Sequence, residues 1–424
     1  MSLTIRVLIG LIAGFLAGSV LARDHPVAGP IVVDIAEPVG TIFINLIRMT
    51  VIPLVVSMLI VSVGSLAAAG AASRALGSAG WRAAALALIL LAVTASISVA
   101  IAQPVLARLS IDASAAKAIA RPAAVKVELK VQPPDAPPVR HALAQWFVDL
   151  IPQNPVKAAA DGSMLPIIVF TVLFAVALAR VGEDRRASVL RVAGGVSDAM
   201  QRLVAGILLF APIGVFALAV PLASRLGLAA AGAVIAYVAL VVSLTVLVVA
   251  AVLYPLGILA GPLSTAAFVA FCAPAQTVAF ASRSSLAALP AMVESAERAN
   301  LPPVASGFIV PLAASLFRVG AAVAQPVGVL FLARLYGVSL TPAQLASILF
   351  TVILTTFAVP GIPGGSIIAM VPVLAAVNLP VEGIGILLAV DAIPDMFRTT
   401  ANVTGSMTLA AVISGRPLLR TRSY

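Results

Sequence analysis

Asp391, Asp395, Arg398 and Asn402 follow one another at intervals of four, three and four residues in DAIPDMFRTTANVTGS, Asp391 to Ser406. At 100° per residue they share one helix face, within an arc of about 60°. The preceding run, Ile384 to Val390, is apolar enough for a bilayer. Each charge placed in a membrane costs roughly 2.5 kcal/mol or more, so such residues face a protein interior or a wet cavity and usually mark a substrate path. A carboxylate beside a guanidinium, with an amide and hydroxyls nearby, can hold a small zwitterion or dianion. The plainer reading of the same stripe is an internal ion pair that tethers helices.

The composition says where the stripe operates. Of 424 residues, 62% are hydrophobic and 10% charged, against about 25% charged in soluble proteins. Mean hydropathy is +1.15. The chain reads as an all-helical polytopic membrane protein whose first partner is the lipid bilayer, with apolar runs near twenty residues each. The net charge of +10 does not indicate a nucleic-acid partner, because no dense basic run with interleaved aromatics occurs. Much of it flanks spans: Arg74 and Arg82; Arg180, Arg185, Arg186 and Arg191; Arg416, Arg420 and Arg422. Those segments read as cytoplasmic, which places both termini on that face of the inner (plasma) membrane. The single cysteine, Cys272, precludes an internal disulfide and reads as a small core residue.

In chain order, Leu3 to Leu21 reads as a first, uncleaved span, followed by a short, net acidic outer loop. The second span, about Thr41 to Leu66, contains Arg48, which snorkels or pairs across helices, and Pro53, where a kink is expected. A third runs from about Ala83 to Val105. Residues 106–140 are polar, end in QPPDAPP and read as an external excursion with an extended tail. From Trp146 to Leu178, three prolines (Pro152, Pro155, Pro166) imply a broken re-entry before a full span. A basic turn, Arg180 to Arg191, leads to a span through Phe210 to Val220, and a sixth runs from about Leu228 to Leu259.

The last third is different in kind. Pro262 to Asn300 is too long for a turn and too interrupted for one span, with Ser282, Arg283, Ser284 and Ser285 at its middle. Leu345 to Leu379 repeats the design around Pro360, Gly361, Pro363, Gly364, Gly365 and Ser366. Both read as re-entrant hairpins, since non-helical backbone at membrane depth is tolerated only in protein or a water-lined cavity. Each is followed by a full span, Ile309 to Leu335 and Val381 to Ile413. Paired interrupted segments of this kind mark inverted-repeat transporters with a midplane site.

These residues carry a family resemblance over about residues 3 to 415. The supporting runs are IRMTVIPLVV, LIPQNPVKAA, MLPIIVF, APIGVFAL, SRSSLAALP, GIPGGSIIAM and DAIPDMFRTTANVTG, in that order. The chain resembles the dicarboxylate/amino acid:cation symporter family, the prokaryotic relatives of glutamate transporters, one of which serves as a reference inverted-repeat case. The resemblance implies eight transmembrane helices plus two re-entrant hairpins and a homotrimer of elevator type. It implies scaffold helices 1 and 2 in residues 1–82 and a third, transport-domain helix in 83–105. The external excursion and scaffold helices 4 and 5 then fill 106–227, and the rest of the transport domain fills 228–424. Asp395 matches the carboxylate that takes a substrate amino group, and Arg398 the guanidinium that takes its side-chain carboxylate. Thr399 and Asn402 match further polar contacts. Arg283, Ser284 and Ser285 match the first hairpin tip. Gly361, Ile362, Pro363 and Gly364, running on to Gly365, match the flexible gate of the second.

The departures are specific. Where the family carries Asn-Met-Asp-Gly-Thr, with sodium-binding Asn and Asp, this chain has Phe317, Arg318, Val319, Gly320 and Ala321. A sodium-binding Asp of the eighth span is replaced by Ser406, and third-span hydroxyl positions fall near Leu90 and Leu91. A hard cation needs several oxygen ligands, by analogy with other hard cations, so no metal site and no cofactor are expected. Arg318 in mid-span needs an anion, for which Asp391 and Asp395 are the candidates. It reads either as a fixed positive charge standing where sodium would sit, or as a strut paired to Asp391.

The function expected is sodium-independent transport of an acidic amino acid, aspartate or glutamate, either proton-coupled or uncoupled. The alternatives are a C4-dicarboxylate substrate, for which Asp395 is a liability, and a sodium symporter with displaced ligands. An anion channel would not need the Asp/Arg/Asn stripe. An intramembrane enzyme is disfavoured because Ser284 and Ser285 have no obvious general base and no P-loop or His-rich cluster occurs.

Overall fold

The computed structural model describes residues 3–21, 28–72, 74–108, 148, 150–161, 163–226, 228–359 and 364–415, and every regular element among them is helical. In chain order these are α1 (Leu3–Leu16), α2 (Ala28–Ala72), α3 (Arg74–Ala107), α4 (Pro155–Ala160), α5 (Met164–Leu178) and α6 (Glu183–Leu209). They continue with α7 (Ala211–Leu226), α8 (Leu228–Val248), α9 (Tyr254–Ala260), α10 (Thr265–Ser282), α11 (Leu289–Arg298) and α12 (Val310–Leu316). The last are α13 (Val319–Leu335), α14 (Pro342–Thr356), α15 (Gly365–Ile368), α16 (Val371–Ala376), α17 (Ile384–Val390) and α18 (Ala392–Ser414). Among the described residues six helical segments are long and apolar enough to cross a bilayer, in keeping with a polytopic membrane protein.

Two packing groups are visible. In the first, α2 lies against α5, α6 and α7, and α1 lies along α7. In the second, α13 packs against α3, α8, α14 and α18, while α10 lies against α18. Polar contacts join the groups at two points on α2. Arg48 Nη2 meets Glu382 Oε1 at 2.9 Å, both side chains half-exposed, and Ser62 Oγ donates to the Phe357 carbonyl at 3.2 Å. Arg48 thus pairs across helices.

Several spans differ from the reading of the sequence. The second helix, expected at about Thr41 to Leu66, is 45 residues long with Pro53 inside it, and Ser57 Oγ donates to the Pro53 carbonyl at 2.6 Å. The span expected before Leu178 is only 15 residues, about 22 Å at 1.5 Å per residue, short of a full crossing. The basic turn after it shrinks to a few residues, because Arg185, Arg186 and Arg191 lie inside α6. Arg186 folds back onto the Ala179 carbonyl and Glu183. The fifth span divides at Phe210, where the backbone closes a tight turn onto the Ile207 carbonyl. Residues 109–147, and with them His141 and most of the external excursion, lie outside the described residues, as does His25.

The seventh span is also interrupted. Phe317 is extended (φ −98°, ψ 106°), and Arg318 begins a new helix with φ −118° and ψ 67°. A break at this depth exposes helix-end N–H groups that must find partners. Ala321 and Ala322 donate to the Arg318 carbonyl, and Gly320 N donates to Asn402 Oδ1 of α18 at 2.7 Å. An asparagine side chain therefore does for this helix what a residue of its own chain segment does for an ordinary cap.

Candidate substrate site

Pro394 has no N–H to give the Val390 carbonyl, and the chain turns at Asp391, between α17 and α18. That turn aims the Asp391 carboxylate along the stripe. Arg398 Nη1 meets Asp391 Oδ1 at 2.6 Å and Nη2 meets Asp391 Oδ2 at 2.8 Å, a two-pronged pair. Arg398 Nη2 also reaches Asp395 Oδ1 at 2.9 Å. All three groups are buried. The parallel fork is the strongest geometry a carboxylate and a guanidinium adopt.

The pair is not fully satisfied. Among the described residues, Arg398 Nε and Asp395 Oδ2 are buried without hydrogen-bond partners. The site thus keeps one N–H donor and one carboxylate oxygen for something else, an arrangement a structural strut does not need. Thr399 and Asn402 are buried on the same helix. Asn402 is committed through Oδ1 to Gly320, and the helices approach so closely there that a Cβ on Gly320 would lie 2.4 Å from the Arg398 carbonyl oxygen. Only glycine allows the broken seventh span to reach this face.

The first hairpin tip joins the same region. Arg283 ends α10 in the left-handed conformation (φ 54°), which turns the chain back towards α11. Ser284 and Ser285 follow in non-helical backbone, with Ser285 buried and Ser284 Oγ accepting from Ala287 N at 3.3 Å. Phe280 meets Phe397 edge-on, ring centroids 5.3 Å apart, which lays the hairpin on α18. Arg283 stands close enough to Asp395 to interact with its charge. In the second hairpin, Gly364 is left-handed (φ 77°) at the start of α15. Gly361, Ile362 and Pro363 lie outside the described residues. The hairpin's arms are tied to the seventh span by Gln325, which donates to the Ser366 carbonyl (3.3 Å) and accepts from Thr355 Oγ1 (3.0 Å).

Arg318 does not pair with Asp391, which corrects the strut reading: both Asp391 oxygens are held by Arg398. Arg318 is buried, its Nε has no partner, and its side chain forms no ion pair or hydrogen bond with a described residue. At the other departures, Phe317, Leu90 and Leu91 are buried apolar side chains, and Ser406 Oγ donates to its own helix at the Asn402 carbonyl (3.0 Å). Two groups escaped sequence reasoning. One is Tyr237 of α8, fully buried. The other is the chain from Tyr254 through Gln276 Oε1 (3.2 Å) and Nε2 to Thr404 Oγ1 (2.7 Å). Lone polar residues in apolar runs offered no periodic signal.

Charged groups assembled at helix breaks, inside a chain of apolar helices, are the architecture of a membrane transporter. The chain belongs to the sodium:dicarboxylate symporter family, whose model matches residues 3–416. It is 28% identical over 411 residues to the proton/sodium-glutamate symport protein of Bacillus caldotenax, covering 97% of this chain and 93% of that one. It is 29% identical over 415 residues to the proton/glutamate-aspartate symporter of Escherichia coli (strain K12), covering 97% and 92%. The C4-dicarboxylate transport protein of Rhodopseudomonas palustris (strain BisB5) is 29% identical over 271 residues, 63% of this chain and 60% of that one.

Proposed function

We propose that the protein is a secondary transporter of aspartate or glutamate that works without sodium. The observation that carries the substrate class is the Asp395–Arg398 pair, with Asp395 Oδ2 and Arg398 Nε taken by no other described residue. An acidic amino acid offers an ammonium to the first and a carboxylate to the second, whereas a C4-dicarboxylate leaves the buried Asp395 oxygen facing an anion. Arg283, Ser284, Ser285, Thr399 and the gate residues 361–364 complete the site in this reading. Relatives described as glutamate and glutamate-aspartate symporters over nearly the whole chain support it.

The sodium independence rests on Phe317, Ser406 and the leucines near 90, which offer no side-chain oxygen or turn it to their own helix. Arg318 then supplies a permanent positive charge where a cation would otherwise arrive with the substrate. The two packing groups divide as scaffold and moving unit of an elevator, within a trimer of identical subunits and with both termini cytoplasmic. The Arg48–Glu382 and Ser62–Phe357 contacts join the two groups and must break during the stroke.

A competition assay on reconstituted protein tests the substrate class. Unlabelled aspartate or glutamate is expected to suppress labelled aspartate uptake at least tenfold more strongly than succinate or asparagine at equal concentration. Equal suppression by succinate would move the assignment to C4-dicarboxylates.

A further inference from the structure

Gln325 lies within α13 and is fully buried. Its carboxamide meets both arms of the second hairpin at once. Nε2 donates to the Ser366 carbonyl of α15 at 3.3 Å, and Oε1 accepts from Thr355 Oγ1 of α14 at 3.0 Å. Thr355 and Ser366 are buried as well. A span that had only to pack here would do as well with apolar side chains, because replacing both members of a buried polar pair is nearly neutral. One amide bound to two arms of a hairpin sets where each arm lies.

The two contacts are not equivalent. The Thr355 hydroxyl has one proton to give, and its own helix offers the Thr351 carbonyl at 2.9 Å and the Val352 carbonyl at 3.2 Å. It can leave Gln325 and stay hydrogen-bonded. The Ser366 carbonyl has no such alternative among the described residues. α15 ends at Ile368, and Met370 N, which a longer helix would bring to Ser366, donates to the Ile367 carbonyl instead. Shape seats the same arm. A Cβ on Gly328, one turn along the same face of α13, would lie 2.6 Å from Met370 Cε.

We propose that Gln325 is a positioning residue that pins the return arm of the second hairpin through Ser366 and latches the outgoing arm through Thr355. The latch breaks when the hairpin opens. Thr355 then turns its proton to its own helix while Ser366 stays on Gln325, so the hairpin opens by its outgoing arm, α14. The inference rests on the reading of this hairpin as the gate of an acidic-substrate site.

The test is the rate at which labelled aspartate associates with and leaves purified, full-length protein, followed by rapid filtration, with thermal unfolding of each variant. Thr355→Val keeps the shape and the Gln325–Ser366 contact and removes the latch. The latch holds the hairpin shut with or without substrate. Both rates are therefore expected to rise about fivefold, the effect of one neutral hydrogen bond, with Kd within about twofold of wild type. A general loosening of the fold would slow association and raise Kd, so the paired rise separates a latch from a strut. Thr351→Val is the control, since Thr351 lies one turn earlier on α14 with its buried hydroxyl bound to no described residue. Its rates are expected to match wild type. Gln325→Leu removes both contacts and is expected to speed release more than T355V, with a lower thermal midpoint. Unchanged rates in T355V, slower association in T355V, or equal acceleration in T351V would overturn the proposal. Wild-type rates in both T355V and Q325L would remove the gate reading with it. Wild type that binds neither aspartate nor glutamate would remove the acidic-substrate reading and this inference together.

Discussion

Arg398→Lys is expected to weaken aspartate binding by about a hundredfold while leaving a folded protein. The lysine keeps a positive charge between Asp391 and Asp395, so neither carboxylate is abandoned. It loses the planar fork, which alone can meet a carboxylate through two parallel N–H groups. Two charge-assisted contacts reduced to one account for a loss of that order. Arg398→Ala behaves differently. It leaves Asp391 and Asp395 buried side by side with no counter-charge, and breaking a buried pair in this way costs about 3–5 kcal/mol. Binding titrations paired with thermal unfolding separate the two cases. R398K should lose affinity at nearly constant stability, and R398A should lose both. Equal affinity in R398K and wild type would place the substrate carboxylate elsewhere.

Arg318→Met carries the opposite sign in stability. The Arg318 guanidinium is buried, and among the described residues its Nε has no partner and no ion pair offsets its desolvation. A methionine, shorter but flexible and apolar, fills much of the same space without a charge. The variant is therefore expected to be more stable than wild type by about 1–4 kcal/mol, the range found when buried ionic groups give way to apolar ones. Aspartate uptake is expected to fall at least tenfold, because the fixed positive charge that accompanies the anionic substrate is gone. A gain in thermal midpoint with a loss of transport would be the signature of a functional charge held at a cost in stability. Unchanged uptake in R318M, with no new cation dependence, would show that Arg318 plays no part in transport.

Much of this was legible in the sequence, for reasons that can be named. Asp391, Asp395, Arg398 and Asn402 announced themselves because helical periodicity places four polar residues on one face of an apolar run, and the structure keeps them on that face. The hairpin tip at Arg283 to Ser285 showed as a polar interruption and appears as a left-handed turn followed by non-helical backbone. Which acid would pair with which arginine was not legible. Periodicity alone allowed Arg318 to meet Asp391, whereas the turn before Pro394 gives that carboxylate to Arg398. The break at Phe317–Arg318 was hidden because Gly320 and the prolines of that run are residues a membrane span tolerates without breaking. It depends on a tertiary contact in which Gly320 N donates to Asn402 Oδ1, between residues 82 apart in sequence. Spans were misjudged where hydrophobicity ran through a tight turn, as at Phe210, because hydropathy reports depth and not direction. Tyr237 was missed since one tyrosine in an apolar helix is an ordinary core residue until its neighbours are known.

On this reading an acidic substrate is carried without sodium, with Arg318 standing in for the missing cation. Aspartate binding to purified protein, measured in sodium chloride and in choline chloride at the same ionic strength, tests it most directly. Equal affinity in the two salts is the predicted result. Strict dependence on sodium would contradict it, and would mean that oxygen ligands are recruited from residues other than Leu90, Leu91, Phe317 and Ser406.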